Sequence, residues 1–276
     1  MNINFTKMHG LGNDFIIIDG VHQTIQLNKK IVQQYADRHL GIGFDQCLLI
    51  EKPSQENADF DVRIFNADGS EAEQCGNGIR CVARFIVDKK LSHKKDLQLA
   101  IAKNIISTKI ETDDTVRVNM GQPQLQPQQI PMVAAQQALS YPIRIENNTI
   151  NVHAIGMGNP HAVILVDDIQ QAPVKTLGAT LTQHACFPQG ANIGFMQILN
   201  PQHIQLRVVE RGVGETLACG SGACAAMVAG RLAHDLEEHV TVSLPGGDLK
   251  IAWAGHGADV YMTGPAVFVF EGSIEI

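Results

Sequence analysis

The chain has 276 residues, 45% of them hydrophobic and 18% charged, with a formal net charge of −7. That composition specifies packed cores rather than a disordered chain, and the length suits two domains of ordinary size. The acidic balance, with no basic run beyond Lys89-Lys90 and Lys94-Lys95, argues against nucleic acid and membrane surfaces as partners. No basic stretch followed by an apolar one opens the sequence and no apolar run is long enough to span a bilayer, so a cytoplasmic protein is expected. The cysteines at 47, 75, 81, 186, 219 and 224 are then expected as reduced thiols.

Residues 3–8 and 15–19 read as strands, with Gly10 and Gly12 at the turn between them. Asn28 is a helix cap for a segment running to about residue 39, with Ile31, Val32, Tyr35 and Ala36 on its apolar face. Strands follow at 47–51 and 59–65, the second alternating Phe60, Val62 and Ile64 with charged residues, and Asn66-Ala67-Asp68-Gly69-Ser70 turns the chain. A helix is predicted over 77–89, where Ile79, Val82, Ala83 and Ile86 recur at helical spacing. Short strands at 97–101, 104–111 and 115–120 end this half. The stretch 121–137, with its prolines and glutamines, reads as a linker.

The second half repeats the order, with strands at 142–146, 150–155 and 161–166, a helix within 173–184, and strands at 193–199 and 203–209. A second helix over 221–233 carries Ala223, Ala225, Ala226, Ala229 and Gly230, small residues that let a helix lie deep inside a sheet. Strands at 239–244, 248–253, 258–262 and 266–270 close the chain. The expected division is 1–119, joined by the C-terminal segment 265–276, and 120–264.

Cys75-Gly76-Asn77-Gly78 precedes the first of these helices and Cys219-Gly220-Ser221-Gly222 the second. Asn13, Gln46, Asn66 and Cys75 are followed in the same order by Asn159, Asn192, Glu210 and Cys219, at offsets of 146, 146, 144 and 144 residues. One short motif matched by chance does not keep such a register, so the halves read as a duplication.

A free thiol has a pKa of about 8.5, leaving about 3% thiolate at pH 7. A helix N-terminus lowers that pKa, and lowering it by about 1.5, worth roughly 2 kcal/mol, half-ionises the thiol. The N–H groups at such an end also bind carboxylates, and the glycines allow close approach. Two such ends facing one another would flank an α-carbon with two sulfurs. One thiolate would take a proton while the opposing thiol delivers another, which predicts racemisation or epimerisation, the two thiols titrating as a unit. No lysine lies in a pyridoxal-phosphate signature, so no cofactor is expected and electrostatic stabilisation must carry the carbanion.

The same residues admit other readings. Free cysteines are commonly core residues, and Cys81 and Cys224, inside the helices, read that way. A four-cysteine zinc site is disfavoured because five residues separate Cys75 from Cys81, and no C-x-x-C dithiol is present. The Gly-x-Gly pairs do not complete a dinucleotide or phosphate loop. Taken singly, Asn13, Gln46, Asn66, Asn159 and Asn192 are turn residues, His161 a surface histidine and Glu210-Arg211 an exposed ion pair. The register shared with the cysteines raises the five amides and Glu210 to candidates.

The sequence resembles the diaminopimelate epimerase family. The segments that carry the resemblance are His9-Gly10-Leu11-Gly12-Asn13-Asp14-Phe15, Gly41-Ile42-Gly43-Phe44-Asp45-Gln46, Phe65-Asn66-Ala67-Asp68-Gly69-Ser70, Glu73-Gln74-Cys75-Gly76-Asn77-Gly78-Ile79-Arg80-Cys81, Gly158-Asn159-Pro160-His161, Ala191-Asn192, and Glu210 through Thr216 leading to Ala218-Cys219-Gly220-Ser221-Gly222. The resemblance implies an α+β fold of two similar domains, each a mostly antiparallel sheet around a central helix, and a cofactor-independent interconversion of L,L- and meso-diaminopimelate. It further implies Cys219 as base and Cys75 as acid toward the L,L substrate, with His161 and Glu210 tuning the pair. Asn13, Gln46, Asn66, Asn159, Asn192, Glu210 and Arg211 would hold this small-molecule substrate, and Gly76, Asn77, Gly220 and Ser221 its reacting carboxylate. A homodimer is implied as well, with Phe270 at the contact where relatives commonly carry tyrosine.

Overall fold

The structure is a computed structural model that describes residues 2–72 and 75–275. In chain order its elements are β1 (Asn2–Gly10), β2 (Asn13–Asp19), α1 (Lys29–Ala36), β3 (Gln46–Glu51), β4 (Phe60–Asn66), β5 (Glu71–Ala72), α2 (Gly76–Asp88), β6 (Asp96–Ile101), β7 (Asn104–Ile110) and β8 (Val116–Asn119). There follow β9 (Tyr141–Ile145), β10 (Asn148–Gly156), β11 (Pro160–Leu165), a π-helical turn (Val174–Gly178) running into α3 (Ala179–Thr182), β12 (Asn192–Asn200) and β13 (His203–Glu210). The last are β14 (Gly214–Thr216), α4 (Gly220–Ala233), β15 (His239–Leu244), β16 (Gly247–Trp253), β17 (Val260–Gly264) and β18 (Val267–Glu275). Two compact units result. One holds the chain through Asn119 together with the segment from Thr263 onward, and the other holds Met120–Met262.

In the first unit β1 pairs antiparallel with β2, β2 parallel with β3, β3 antiparallel with β4, β4 parallel with β6, and β6 antiparallel with β7. In the second unit β10, β11, β12, β13, β15 and β16 follow the same sequence of directions. The short strands β5 and β14 turn back on β4 and β13 at matching places. At the far edge β18 lies beside β1 as β9 lies beside β10. Each parallel step needs a crossover, and each crossover carries a helix. The duplication read from polar landmarks is therefore a duplication of topology.

The second crossover helix of each unit lies inside its sheet. α2 packs against β1, β2, β3, β7 and β8, and α4 against β10, β11, β12, β13, β15 and β16. From Gly220 to Gly230 every residue of α4 except Ser221 is buried, and a β-carbon at Gly230 would collide with Leu236. Small side chains are what let the sheet close around this helix. The other crossover helix covers the outer face of the sheet. In the first unit Val32 and Ala36 of α1 meet Ile3, Phe5, Ile16, Ile18, Cys47 and Leu49. In the second, Val174 and Leu181 do the same over Ile143, Ile164, Ile193 and Phe195.

Several expectations are corrected. The central helices begin at Gly76 and Gly220, directly after their cysteines, and the segment expected as one helix within 173–184 is a π turn followed by a short α-helix. β5 and β14 carry too little pattern to be read from sequence. The stretch 121–137 is not a linker: Ile130 and Met132 belong to the second unit's core, at 0% and 8% exposure, and Gln124 forms a bridge to Gly156. Its glutamines are exposed between apolar anchors, and Pro127 is itself buried. Ile130→Ala should therefore lower stability by about 2–5 kcal/mol in urea unfolding. A change within about 0.5 kcal/mol, the range of a surface substitution, would mean that the segment is not part of the core.

Candidate active site

Cys75 and Cys219 are the N-caps of α2 and α4, both with extended backbones, at φ −155°, ψ 94° and φ −117°, ψ 106°. At Cys75 the sulfur accepts the Gly78 N–H at 3.3 Å. A β-carbon at Gly78 would stand 3.3 Å from Cys75 Sγ, and one at Gly222 would stand 3.2 Å from Cys219 Sγ. Glycine at the third helical position thus makes room for each sulfur over the helix mouth. Glu73 and Gln74, part of the motif around Cys75, lie outside the described residues.

The first unit gathers its predicted residues at one end of its sheet. Gln46 sits opposite Asn66 in the β3–β4 register and its Nε2 donates to Asn66 Oδ1 at 2.9 Å, while Asn66 Nδ2 donates to Ser70 Oγ at 3.0 Å. Gln46 Oε1 is buried and accepts no hydrogen bond among the described residues. Asn13 opens β2, and its Oδ1 faces Cys75 Sγ at 3.9 Å and accepts Asn77 Nδ2 at 3.3 Å.

The second unit repeats the frame with different side chains. His161 pairs with Asn192 in the β11–β12 register, as Phe15 pairs with Gln46 in the first unit. It is 1% exposed, its Nε2 lies 2.9 Å from Asn159 Oδ1, and burial pushes its pKa down to about 3, so the ring is neutral. Glu210 ends β13, where Thr216 Oγ1 donates to its Oε1 at 2.6 Å. Asn192 Oδ1 accepts the Arg211 N–H at 2.9 Å, and the Arg211 guanidinium is tied to the Gln189 carbonyl. Ser221 Oγ stands 3.7 Å from Cys219 Sγ, and Gly220 begins the helix.

Burial pushes the Cys219 thiol well above its ordinary range and the Glu210 carboxylate raises it further; the Gly222 N–H and Ser221 hydroxyl oppose this without overcoming it. The helix end alone therefore does not half-ionise this thiol, contrary to the sequence expectation. Stripping water from a thiolate outweighs the partial charges of a few N–H groups. Cys81 and Cys224 are fully buried, as expected, and burial raises Cys81 to about 12. Among the described residues no three His, Cys, Asp or Glu side chains are grouped as a metal ion would need.

Sequence reasoning missed Arg38, Asp45 and Thr216, which hold Asn13 and Glu210 in place. A signal was present for Asp45, in the segment Gly41-Ile42-Gly43-Phe44-Asp45-Gln46, and for Thr216, at the end of the segment that begins at Glu210.

Solved structures share this architecture. A phenazine biosynthesis protein of the PhzF family from Bacillus anthracis aligns over all of both chains at 15% identity and TM-score 0.72. A hydroxyproline epimerase from Agrobacterium vitis, with bound trans-4-hydroxy-L-proline, aligns over 99% of this chain and 92% of its own at 13% identity and TM-score 0.72. At such identities the likeness is one of fold, and it defines the class: a duplicated α+β protein with a helix inside each sheet. Sequence narrows the class. The diaminopimelate epimerase profile matches residues 5–126 and 153–269. Diaminopimelate epimerase of Legionella pneumophila (strain Paris) is 54% identical over 99% of both chains, and that of Ectopseudomonas mendocina (strain ymp) is 50% identical over the whole of both. The chain belongs to the diaminopimelate epimerase family, and so to the isomerases.

The neutral state of His161 gives a pH prediction. Below about pH 6.5 the unfolded chain binds a proton at this ring, while the folded chain does so only near pH 3. Stability from this group is thus complete above about 6.5 and is lost as the pH falls toward 3. The His161 ring resonances should not titrate between about pH 5 and about pH 8. A midpoint inside that window would contradict the buried, neutral assignment.

Proposed function

We propose that this chain interconverts L,L- and meso-diaminopimelate in lysine and peptidoglycan-precursor synthesis, using two thiols and no cofactor. The observation that carries the reading is the repetition of one device: in each unit a cysteine caps the buried central helix, with glycine three residues on. Toward the L,L substrate Cys219 is the base that removes the α-proton, and Cys75 is the acid that returns a proton to the opposite face of the carbon. The roles exchange in reverse, as microscopic reversibility requires. The family membership at about half identity favours diaminopimelate over the cyclic substrate named for the Agrobacterium vitis structure.

In this reading the backbone N–H groups at Gly76, Asn77, Gly220 and Ser221 receive the reacting carboxylate, because helix N-termini attract anions. Charge developing on that carboxylate in the transition state meets donors already in place. Asn13, Gln46, Asn66, Asn159, Asn192, Glu210 and Arg211 hold the substrate, mostly at its non-reacting end. The open acceptor at Gln46 Oε1 supports this, since a buried oxygen without a partner is costly and a substrate ammonium would satisfy it. His161 and Glu210 tune the thiols, the ring as a neutral partner and the carboxylate as an acceptor for the Cys219 proton.

Incubation with each candidate amino acid in deuterated water tests the substrate. Deuterium should enter Cα of diaminopimelate. Incorporation into proline or hydroxyproline instead would select a racemase of the other type. Cys75→Ala and Cys219→Ala should each reduce turnover by about 10²–10⁴-fold or more with unfolding curves close to that of the parent. Substantial epimerisation by either variant would refute the two-thiol mechanism.

The same reading includes a cytoplasmic homodimer with Phe270 at the contact. Phe270 is 48% exposed on β18, edge-on to Phe5 at 6.0 Å, and Val267 and Val269 beside it are 40% and 54% exposed. An apolar strand of this kind calls for cover. Phe270→Asp should shift sedimentation from dimer toward monomer; a parent protein that sediments as a monomer would remove the assignment.

A further inference from the structure

Beside Cys75, three successive hydrogen bonds among the described residues run in one direction along a line of polar side chains. Arg80 Nη1 donates to Asn77 Oδ1 at 3.0 Å, Asn77 Nδ2 to Asn13 Oδ1 at 3.3 Å, and Asn13 Nδ2 to Asp45 Oδ2 at 2.8 Å. The other Asp45 oxygen accepts Arg38 Nη2 at 2.7 Å. A cation fixes one end and a carboxylate, itself pinned by a second cation, fixes the other. Between them neither amide can turn over alone, because a flip would set oxygen against oxygen at one side and N–H against N–H at the other.

The anchors are built in. Arg80 is fully buried, its Nε donates to the Pro265 carbonyl at 3.2 Å, and a β-carbon at Gly10 would lie 2.9 Å from its Nη2. Arg38 also grips Asp14 with both terminal nitrogens, at 3.0 and 2.8 Å. Lys7 approaches Asp14 at 2.6 Å and donates to the Gly43 carbonyl. Burial alone would push the Asp14 carboxyl up, but the Arg38 and Lys7 contacts outweigh it and hold it far below the usual range. Among the described residues, the charged groups linked to this line by these bonds are Lys7, Asp14, Arg38, Asp45 and Arg80.

We infer that Asp45 is a positioning residue for the proposed reaction: by accepting the Asn13 amide N–H, it turns the Asn13 carbonyl oxygen, rather than the NH2, toward the Cys75 sulfur. An acceptor facing sulfur favours the protonated thiol, whereas a donor in the same place would favour the thiolate. Asp45 therefore keeps Cys75 in the form that delivers a proton. The consequence for turnover rests on the two-thiol reading, but the effect on the thiol does not.

Two substitutions separate orientation from charge. Asp45→Ala removes the acceptor and the negative charge. Asp45→Asn removes the same charge but keeps an acceptor oxygen where the Asn13 amide and the Asp14 backbone N–H both donate, at 2.8 and 3.1 Å, so the Asn13 amide stays in place. The readout is the pH dependence of iodoacetamide alkylation at Cys75, followed by peptide mass spectrometry, since the thiolate is the species alkylated. The side chain of Asp45 is 43% exposed, so both variants should fold, and circular dichroism melting checks this. The alkylation midpoint should fall in both variants and lie lower in Asp45→Ala than in Asp45→Asn by about one pH unit. Equal shifts would show that charge alone acts and would overturn the inference, as would an unchanged or raised midpoint in Asp45→Ala. Should Cys75→Ala remain an active epimerase, the catalytic reading fails while the alkylation result stands on its own.

Discussion

The structure turns on one packing constraint, a cysteine sulfur seated over the first turn of a helix that is itself enclosed by a sheet. To seat the sulfur there, the residue three positions on must lack a side chain, and both units meet this with glycine. To enclose the helix, its own side chains must be small or apolar. α4 solves this with alanine and glycine, whereas α2 admits one long polar side chain, Arg80, and gives it the buried partners that a guanidinium requires. One parallel step in each sheet follows, β4 to β6 and β13 to β15, because the chain must cross from one strand to the next through the helix that carries the cysteine.

Duplication supplied two frames of one topology, and at the candidate site they differ at matched positions. Where the first unit has Phe15, Asn66, Ala67 and Asn77, the second has His161, Glu210, Arg211 and Ser221. In the first unit the side chain facing the sulfur is a neutral amide, Asn13, with its oxygen 3.9 Å from Cys75 Sγ. The second brings a carboxylate and a hydroxyl to Cys219, and the carboxylate moves the thiol in the same direction as burial does. Two like sulfurs are thereby given unlike surroundings, as a reaction needing one acid and one base at a time requires.

Much of this architecture is legible in the residues alone. The strands announce themselves by alternation, as in β4, and both central helices by apolar spacing and by the cysteine and glycines at their mouths. The register of polar landmarks locates the duplication. What is not legible depends on contacts distant in sequence. The proline- and glutamine-rich stretch after β8 has a linker's composition, and only the burial of Ile130 and Met132 reveals it as core. Arg38 and Asp45 are ordinary charged loop residues in sequence; their part emerges once β2 and β3 align Asn13 beside Asp45. The rise in the Cys219 pKa is equally hidden, since the sequence displays the helix end but not how dry the site is.

That rise does not conflict with the basic role proposed for Cys219. A thiolate formed in a dry site is scarce but strong, and its appetite for a proton grows with the same burial that makes it hard to form. An amino-acid α-hydrogen is a poor acid, so a weak base with a high population would gain little. What the site then needs is a way to release the thiol proton as the substrate arrives and to stabilise the sulfur afterwards. Glu210, held by the Thr216 hydroxyl, can accept that proton, and the Gly222 N–H and Ser221 hydroxyl stand ready for the anion left behind. The two groups that oppose the rise are thus those that matter once the proton has gone, which is why a helix mouth too weak to ionise the resting thiol can still serve the thiolate.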